Sequence, residues 1–106
     1  MVDKNAVAKA VKERLQALYG DRLAKVILYG SYARGDYHEE SDIDFLVVLK
    51  DEEIRTGEEI LNMSRVLSPL NLTYDIIISK HPTTVRQLTQ SPFLFYQNIR
   101  KEGVEV

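Results

Sequence analysis

Two carboxylates separated by one residue, Asp42 and Asp44, lie shortly after a turn of small residues in this chain. The turn reads Gly30-Ser31-Tyr32-Ala33-Arg34-Gly35. A glycine lets the backbone pass close to a ligand, and the N–H groups at the start of a helix attract anions such as phosphate. Carboxylate oxygens are hard ligands that bind Mg²⁺ together with substrate phosphates. The combination predicts metal-dependent chemistry on a nucleoside triphosphate.

The turn itself is expected to bind the phosphates. It follows a short apolar run, residues 26–29, that is typical of a strand. We expect Ser31 to cap a short helix, and its hydroxyl can also bond a phosphate oxygen. Arg34 adds a permanent cation, although it could instead pair with Asp36 or Glu40. Gly-Ser alone would also suit an ordinary strand–turn–helix corner, and the chain has no G-x-x-x-x-G-K-[ST] phosphate loop.

The two aspartates open the next predicted strand. Side chains alternate along a strand, so Asp42 and Asp44 are expected on one face. Neighbouring carboxylates repel each other unless a cation lies between them. Alone, the pair could equally be a solvated acidic strand start, but its position a short distance after the Gly30 turn favours a metal site. The apolar residues that alternate with and follow them are expected to face the core: Ile43, Phe45, Val47 and Leu49.

A third acid, Asp75, lies in an apolar segment that we predict to be a strand over residues 72–78. A lone carboxylate is costly to bury among apolar neighbours. A metal shared with Asp42 and Asp44 would relieve that cost if the two strands are adjacent. The alternative is an aspartate on an edge strand that faces water.

The remaining pattern predicts the scaffold that positions these residues. Helical spacing of apolar side chains indicates a first helix over roughly residues 4–19 and a later helix that ends at Pro69. Pro82 is expected in the first turn of a short helix that reaches about Leu88, and Ser91-Pro92 are expected to start a last helix. The predicted order is helix, strand, turn, strand, helix, strand, helix, helix.

Length, charge and composition limit what else the chain can do. Its 106 residues are expected to form one domain over residues 1–106. The net charge of −2 argues against direct nucleic-acid binding, and the lack of cysteine excludes disulfides and zinc–thiolate sites. We find no signal peptide and no apolar run long enough to span a bilayer, so we expect no membrane partner and a cytoplasmic location.

The stretch from Gly30-Ser31 to Asp42 and Asp44 resembles the signature of the DNA polymerase β-type nucleotidyltransferase superfamily. Its compact form in so short a chain resembles the minimal nucleotidyltransferases (MNT) of prokaryotes. That resemblance implies an α+β (α/β) fold, with a short mixed sheet of three to four strands and helices packed mainly on one face. It also implies that the Gly-Ser turn binds the triphosphate, that Asp42 and Asp44 bind two Mg²⁺ ions, and that Asp75 binds one of them and helps activate the acceptor hydroxyl.

The same resemblance implies an activity and a partner. MNT proteins are paired with HEPN ribonuclease toxins, and the implied role is that of an antitoxin that transfers AMP from ATP to a hydroxyl of the toxin. ATP as the substrate is likewise implied by the resemblance and by no particular residue. Little chain remains to grip an acceptor, so the toxin or a second copy of this chain is expected to supply the rest of the site.

Two alternative functions stay open at this point. The chain could neutralise a toxin by binding alone, or it could modify a small molecule in the manner of antibiotic-modifying nucleotidyltransferases. Leu46 and Val48 share a strand face with the aspartates, and we expect them to form a docking surface if helices cover the opposite face alone. Tyr32 and Tyr37 are expected to pack, although either could contact the nucleotide base.

Overall fold

The computed structural model describes residues 3–106, which form a mixed sheet flanked by helices. The four strands are ordered β3-β2-β1-β4 in the sheet. The elements, in chain order, are α1 (Lys4–Tyr19), a 3₁₀ turn (Gly20–Arg22), β1 (Leu23–Tyr29), α2 (Ser31–Arg34), β2 (Ile43–Leu49), α3 (Thr56–Tyr74), β3 (Ile78–Thr84), α4 (Val85–Gln90), α5 (Leu94–Glu102) and β4 (Val104–Glu105).

The register of the strands places Tyr29, Asp44 and Ser79 side by side across β1, β2 and β3. β1 runs antiparallel to β2, and Tyr29 lies opposite Asp44. β3 runs parallel to β2 after the α3 crossover, and Ser79 lies opposite Asp44 on that side. β4 adds a short antiparallel strand to the outer side of β1, where it pairs with Ile27 and Leu28. Asp44 therefore lies between Tyr29 and Ser79 on neighbouring strands.

The main core lies between one face of the sheet and the two long helices. α1 begins at Asp3, whose carboxylate accepts hydrogen bonds from the N–H groups of Asn5 and Ala6, and it buries one apolar stripe against the sheet. On β2, the residues predicted to face the core do so, and all are fully buried: Ile43, Phe45, Val47 and Leu49. The predicted mixed sheet and fold class are thus confirmed.

The opposite face of the sheet is covered as well. Leu46 and Val48 are fully buried there, in a second apolar cluster with residues of α4 and α5. The predicted docking surface at these two residues is therefore wrong, because the C-terminal helices fold back over the strand. The residues that cover them are Leu88, Tyr96 and Ile99.

The predicted strand over residues 72–78 is also wrong. α3 continues through Pro69 to Tyr74, and β3 begins only at Ile78. Burial of Leu67 and Leu70 on the same helix face explains this continuation, because apolar packing outweighs the single backbone hydrogen bond that a proline removes.

The C-terminal elements also begin later than predicted. Pro82 lies in β3, an edge strand that needs hydrogen bonds on one side only, so a proline is tolerated there. The short helix α4 then starts at Val85, and α5 starts after Phe93 rather than at Pro92.

Among residues 3–106, no helix is long and apolar enough to cross a membrane.

A buried polar network ties α1 and the start of β1 to α3. The Tyr19 hydroxyl donates to Glu59 at 3.1 Å, and the Arg22 guanidinium pairs with the other oxygen of Glu59 at 2.6 Å. Arg22 also pairs with Asp51 at 3.0 Å, and this contact lowers the pKa of Asp51. Glu59 is 94% buried, so it depends on these partners for compensation.

Glu59→Ala is expected to lower the free energy of unfolding by about 2 kcal/mol, because it leaves the buried Tyr19 hydroxyl without its acceptor. Urea unfolding measures the change. Glu58→Ala is the matched control, since Glu58 is exposed and makes a 3.4 Å contact with Arg55. We expect that variant to stay within about 0.5 kcal/mol of the wild type. An equal loss in both variants would contradict the role of the network.

Candidate nucleotide and metal site

Gly30 joins β1 to α2 and determines how closely the backbone approaches Asp44. Its φ of +75° and ψ of −153° lie in a region that side chains other than glycine rarely adopt. A Cβ at this position would overlap the carboxylate of Asp44 and would lie 3.4 Å from its Cγ. Glycine is therefore required both by the backbone conformation and by the contact with Asp44.

The short helix α2 starts at Ser31, directly beside the aspartates. Ala33 and Arg34 donate to the carbonyl of Gly30, both at 3.1 Å, so Gly30 is the N-cap residue and Ser31 is the first residue of the helix. The expectation that Ser31 caps this helix is wrong, and its hydroxyl makes no capping bond. The hydroxyl therefore stays available to a ligand in the cleft that it lines.

Asp42 and Asp44 stand on one face at the start of β2, as the alternation predicts. Asp42 is exposed and Asp44 is half-buried. Burial raises the pKa of the Asp44 carboxyl, the charge of Asp42 raises it further, and Ser79 and Arg34 oppose the shift. A pair of carboxylates in this state is stabilised by a bound cation, which removes both the repulsion and the cost of burial.

These side chains surround an open cleft of about 450 Å³. Four of the six predicted site residues line it, namely Ser31, Arg34, Asp42 and Asp44, and Gly30 packs against Asp44 from behind. The remaining lining residues are Asp36, His38, Glu40 and Ser41.

The oxygen ligands in this cleft suit a Mg²⁺ ion that takes only some of its ligands from the protein. Within residues 3–106, no group of three or more His, Cys, Asp or Glu side chains is arranged to hold a metal alone. Mg²⁺ commonly binds through one or two carboxylates and takes its other oxygens from substrate phosphates and water. Asp42 and Asp44 match that requirement, and their cleft also has Ser31 and Arg34 to meet the phosphates.

Arg34 is shared between the cleft and the surrounding fold. It pairs with Asp36 at 3.2 Å, one of the two partners considered from the sequence, and with Glu102 of α5 at 3.6 Å. Arg34 is half-exposed, so both contacts are weak and can be exchanged for a phosphate.

Tyr32 is buried and stacks on Tyr37 with ring centres 4.1 Å apart, which confirms that these rings pack.

The loop between α2 and β2 is held by contacts between His38 and Ser41. The backbone N–H of His38 donates to the Ser41 hydroxyl at 2.9 Å, and the N–H of Ser41 donates to the His38 carbonyl at 2.9 Å. This small closed turn leads directly into Asp42. It fixes where the first carboxylate of the pair enters the cleft.

Asp75 is placed elsewhere by the structure. It is the residue that ends α3, in a left-handed conformation with a φ of +51°, and it does not line the cleft. The residue that the sheet puts beside Asp44 is Ser79, four positions later. Ser79 could not be identified from the sequence. Its position beside Asp44 depends on the residue at which β3 starts, and the apolar residues from 76 onward do not determine that residue.

Asp75→Asn is expected to keep nucleotidyl transfer within about threefold of the wild type, since Asp75 lies outside the cleft and asparagine also tolerates the left-handed conformation. The same substitution should leave the melting temperature unchanged. Transfer assays at saturating Mg²⁺ test this expectation. A loss as large as that of an Asp44 variant would show that Asp75 joins the metal site when substrate binds.

Comparison with known proteins places this site in a family. The nucleotidyltransferase domain family matches residues 7–104, a range that includes the turn and both aspartates. The chain belongs to this family. The predicted resemblance to the minimal nucleotidyltransferases is thereby confirmed, and four of the six predicted site residues meet in the cleft at the start of β2.

Two curated relatives cover almost the whole chain. "Putative protein adenylyltransferase MJ0141" of Methanocaldococcus jannaschii is 38% identical over 100 residues, which are 94% of this chain and 95% of the relative. "Putative protein adenylyltransferase MJ0604" of the same organism is 36% identical over 98 residues, which are 90% of this chain and 92% of the relative. The chain and these relatives are thus similar in extent as well as in sequence.

Solved structures share the fold at lower sequence identity. A toxin–antitoxin structure with AMP-PNP superposes with a TM-score of 0.65 at 19% identity, over 92% of this chain and 70% of that chain. A nucleotidyltransferase structure from Sulfolobus solfataricus superposes with a TM-score of 0.64 at 23% identity, over 94% of this chain and 78% of that chain. At these identities the likeness shows the nucleotidyltransferase fold alone.

Proposed function

We propose that this nucleotidyltransferase transfers AMP from ATP to a hydroxyl of a partner protein, a HEPN-type ribonuclease toxin, and so acts as its antitoxin. The observation that carries the proposal is the meeting of Asp42 and Asp44 with the Gly30-Ser31 turn in one cleft. Two carboxylates beside a phosphate-binding turn are the groups that a metal-dependent attack on a triphosphate requires.

Mg²⁺ would be held by Asp42 and Asp44, as two ions by the family resemblance, and when bound it supplies charge neutralisation and activation of the acceptor hydroxyl. The protein positions the reacting groups. Ser31 offers a hydroxyl to the phosphates, Gly30 lets them approach the backbone, and Arg34 adds positive charge. The acceptor hydroxyl gives up its proton to water, and its oxygen forms a bond to the α-phosphorus. The bond from that phosphorus to the oxygen that bridges it to the β-phosphorus breaks, and pyrophosphate leaves.

The protein partner is supported by the names of the relatives and by the shape of the cleft. Both full-length relatives are named as protein adenylyltransferases, and the fold is shared with chains of toxin–antitoxin structures. The cleft is open, and its lining includes the acidic residues Asp36 and Glu40. A basic or hydroxyl-bearing segment of another protein fits such a cleft better than a small acceptor that needs enclosure.

The test uses α-labelled ATP, Mg²⁺ and a purified HEPN-type protein from the same organism, with a lysate of that organism in parallel. We expect one labelled protein, and no label with the Asp42→Asn/Asp44→Asn double variant. If the double variant still protects cells from the toxin, neutralisation by binding alone replaces the enzymatic proposal. Label transferred to a small molecule in the absence of a partner would favour the antibiotic-modifying type of reaction.

A further inference from the structure

A second cleft adjoins the Gly30 turn, between Tyr29 and α5. Its volume is about 220 Å³, and it shares Arg34 with the larger cleft. A ligand whose phosphates contact Ser31 and Arg34 could therefore extend into it. The residues that line it are Tyr29, Gly30, Arg34, Phe95, Asn98, Ile99 and Glu102.

The fold leaves this cleft open at the end of a short strand. β4 begins at Val104, opposite Leu28, so it does not extend alongside Tyr29. On the side of β1 away from β4, Tyr29 is the direct neighbour of Asp44. The cleft thus begins one strand away from the metal-binding carboxylate.

One face of α5 forms the opposite wall. Phe95, Asn98 and Glu102 are spaced three and four residues apart, which places them on the same side of the helix. Phe95 meets the Tyr29 ring edge-on with centres 5.5 Å apart, yet it remains 39% exposed. Asn98 is exposed and carries both a donor and an acceptor. The wall therefore combines an accessible aromatic surface with one amide and one carboxylate.

We infer that this second cleft is the subsite for the adenine ring of the nucleotide, with Phe95 as the stacking surface and Asn98 as the residue that reads the base edge. The inference rests on the proposed function, which supplies the triphosphate next to Ser31 and Arg34. At about 220 Å³ the cleft is smaller than the pockets of roughly 300–1,000 Å³ that hold drug-sized ligands, which suits a single ring system such as a nucleobase. Aromatic side chains stack on bases of any type, so Phe95 provides affinity without selection.

Selection for adenine comes from the two polar groups. An asparagine amide pairs with the amine at position 6 and with N7 of adenine. The Glu102 carboxylate can accept from the same amine, whereas it would repel the carbonyl oxygen that guanine carries at that position. Glu102 already contacts Arg34 at 3.6 Å, so one pair of residues connects the base subsite to the phosphate subsite.

The test is calorimetric titration of the whole protein with ATP, GTP and tripolyphosphate in the presence of Mg²⁺. The variants are Asn98→Ala, Phe95→Leu and Phe95→Tyr. Gln97→Ala is the matched control, because it removes an amide from the same helix, outside the cleft. A thermal melt of each variant checks that the fold is retained.

We expect the wild type to bind ATP about tenfold more tightly than GTP, and Asn98→Ala to remove that preference. Phe95→Leu should weaken both nucleotides about tenfold, while Phe95→Tyr and Gln97→Ala should bind as the wild type does. Tripolyphosphate affinity should be equal in all of these proteins. The inference is overturned if ATP binds no more tightly than tripolyphosphate, or if neither Asn98→Ala nor Phe95→Leu changes ATP affinity.

The outcome is separable from that of the proposed function. Selective ATP binding that depends on Asn98, without label transfer to any protein, would support the subsite and overturn protein adenylylation. Label transfer that is equally efficient in Asn98→Ala and Phe95→Leu at low ATP concentration would support adenylylation and overturn the subsite.

Discussion

Asp42→Asn and Asp44→Asn are each expected to lower nucleotidyl transfer by about 1,000-fold, since each removes a carboxylate from the pair proposed to bind Mg²⁺. Charge stabilisation by a bound metal contributes several kcal/mol to the transition state, and about 4 kcal/mol corresponds to this factor. The measurement is single-turnover transfer of α-labelled AMP to the partner at saturating Mg²⁺. Asparagine keeps the size of the side chain, so the loss reports on charge and metal affinity.

The matched control is Glu39→Gln. Glu39 lies in the same acidic loop but does not line the cleft, so this variant should transfer AMP at the wild-type rate. A comparable loss in Glu39→Gln would mean that the loop acts through its total negative charge. Full activity in Asp44→Asn would exclude the assigned metal site.

Asp44→Asn is also expected to raise the melting temperature of the metal-free protein. The pKa of Asp44 is raised in the folded state, mainly by burial and then by the charge of Asp42. A group of this kind favours the folded state below its unfolded pKa, and that contribution is lost as the pH rises through the folded value. At neutral pH the ionised Asp44 therefore opposes folding. Thermal melts of wild type and variant between pH 4 and pH 8 should differ at neutral pH and converge at acid pH.

Gly30→Ala is expected to reduce transfer by at least 100-fold and to lower the free energy of unfolding by about 2 kcal/mol. The positive φ of Gly30 is strained for any other residue, at a cost of order 1–3 kcal/mol. In addition, the new Cβ would overlap the Asp44 carboxylate, so that group must move away from the metal site. A small displacement of a catalytic group is enough to cost about 100-fold in rate. Transfer assays and urea unfolding of the same preparation measure the two effects.

Two glycines separate the causes of that loss. Gly20 also has a positive φ, but a Cβ there would meet no atom within 4 Å, so Gly20→Ala should lower stability without a loss of transfer at saturating substrate. Gly57 lies in α3, and a Cβ there would also meet no atom within 4 Å. Gly57→Ala should therefore leave the free energy of unfolding unchanged or raise it by a few tenths of a kcal/mol. If Gly30→Ala loses stability alone, its contact with Asp44 has no part in the chemistry.

The placement of the two aspartates and the glycine turn could be predicted from the sequence because it depends on local rules. Alternation along a strand places Asp42 and Asp44 on one face and Ile43 and Phe45 on the other, whatever the rest of the fold does. The Gly30 turn follows β1 directly, so its position relative to Asp44 needed only that β1 and β2 be neighbours. These local relations were also sufficient for the resemblance to the minimal nucleotidyltransferases.

Relations between distant segments were decided by the tertiary structure. α3 extends past Pro69 because Leu67 and Leu70 find buried positions, and this extension removes Asp75 from the strand that was predicted for it. The later start of β3 then places Ser79 beside Asp44.

The sequence by itself thus determined the pair of aspartates, the glycine turn and the family. The tertiary structure alone decided which residue lies beside the pair, that the C-terminal helices cover Leu46 and Val48, and that a second cleft opens between Tyr29 and α5. The physical reason is the range of the forces involved. Strand alternation and turn conformation are fixed within a few residues, whereas strand register and helix ends follow from the burial of apolar side chains far apart in the chain.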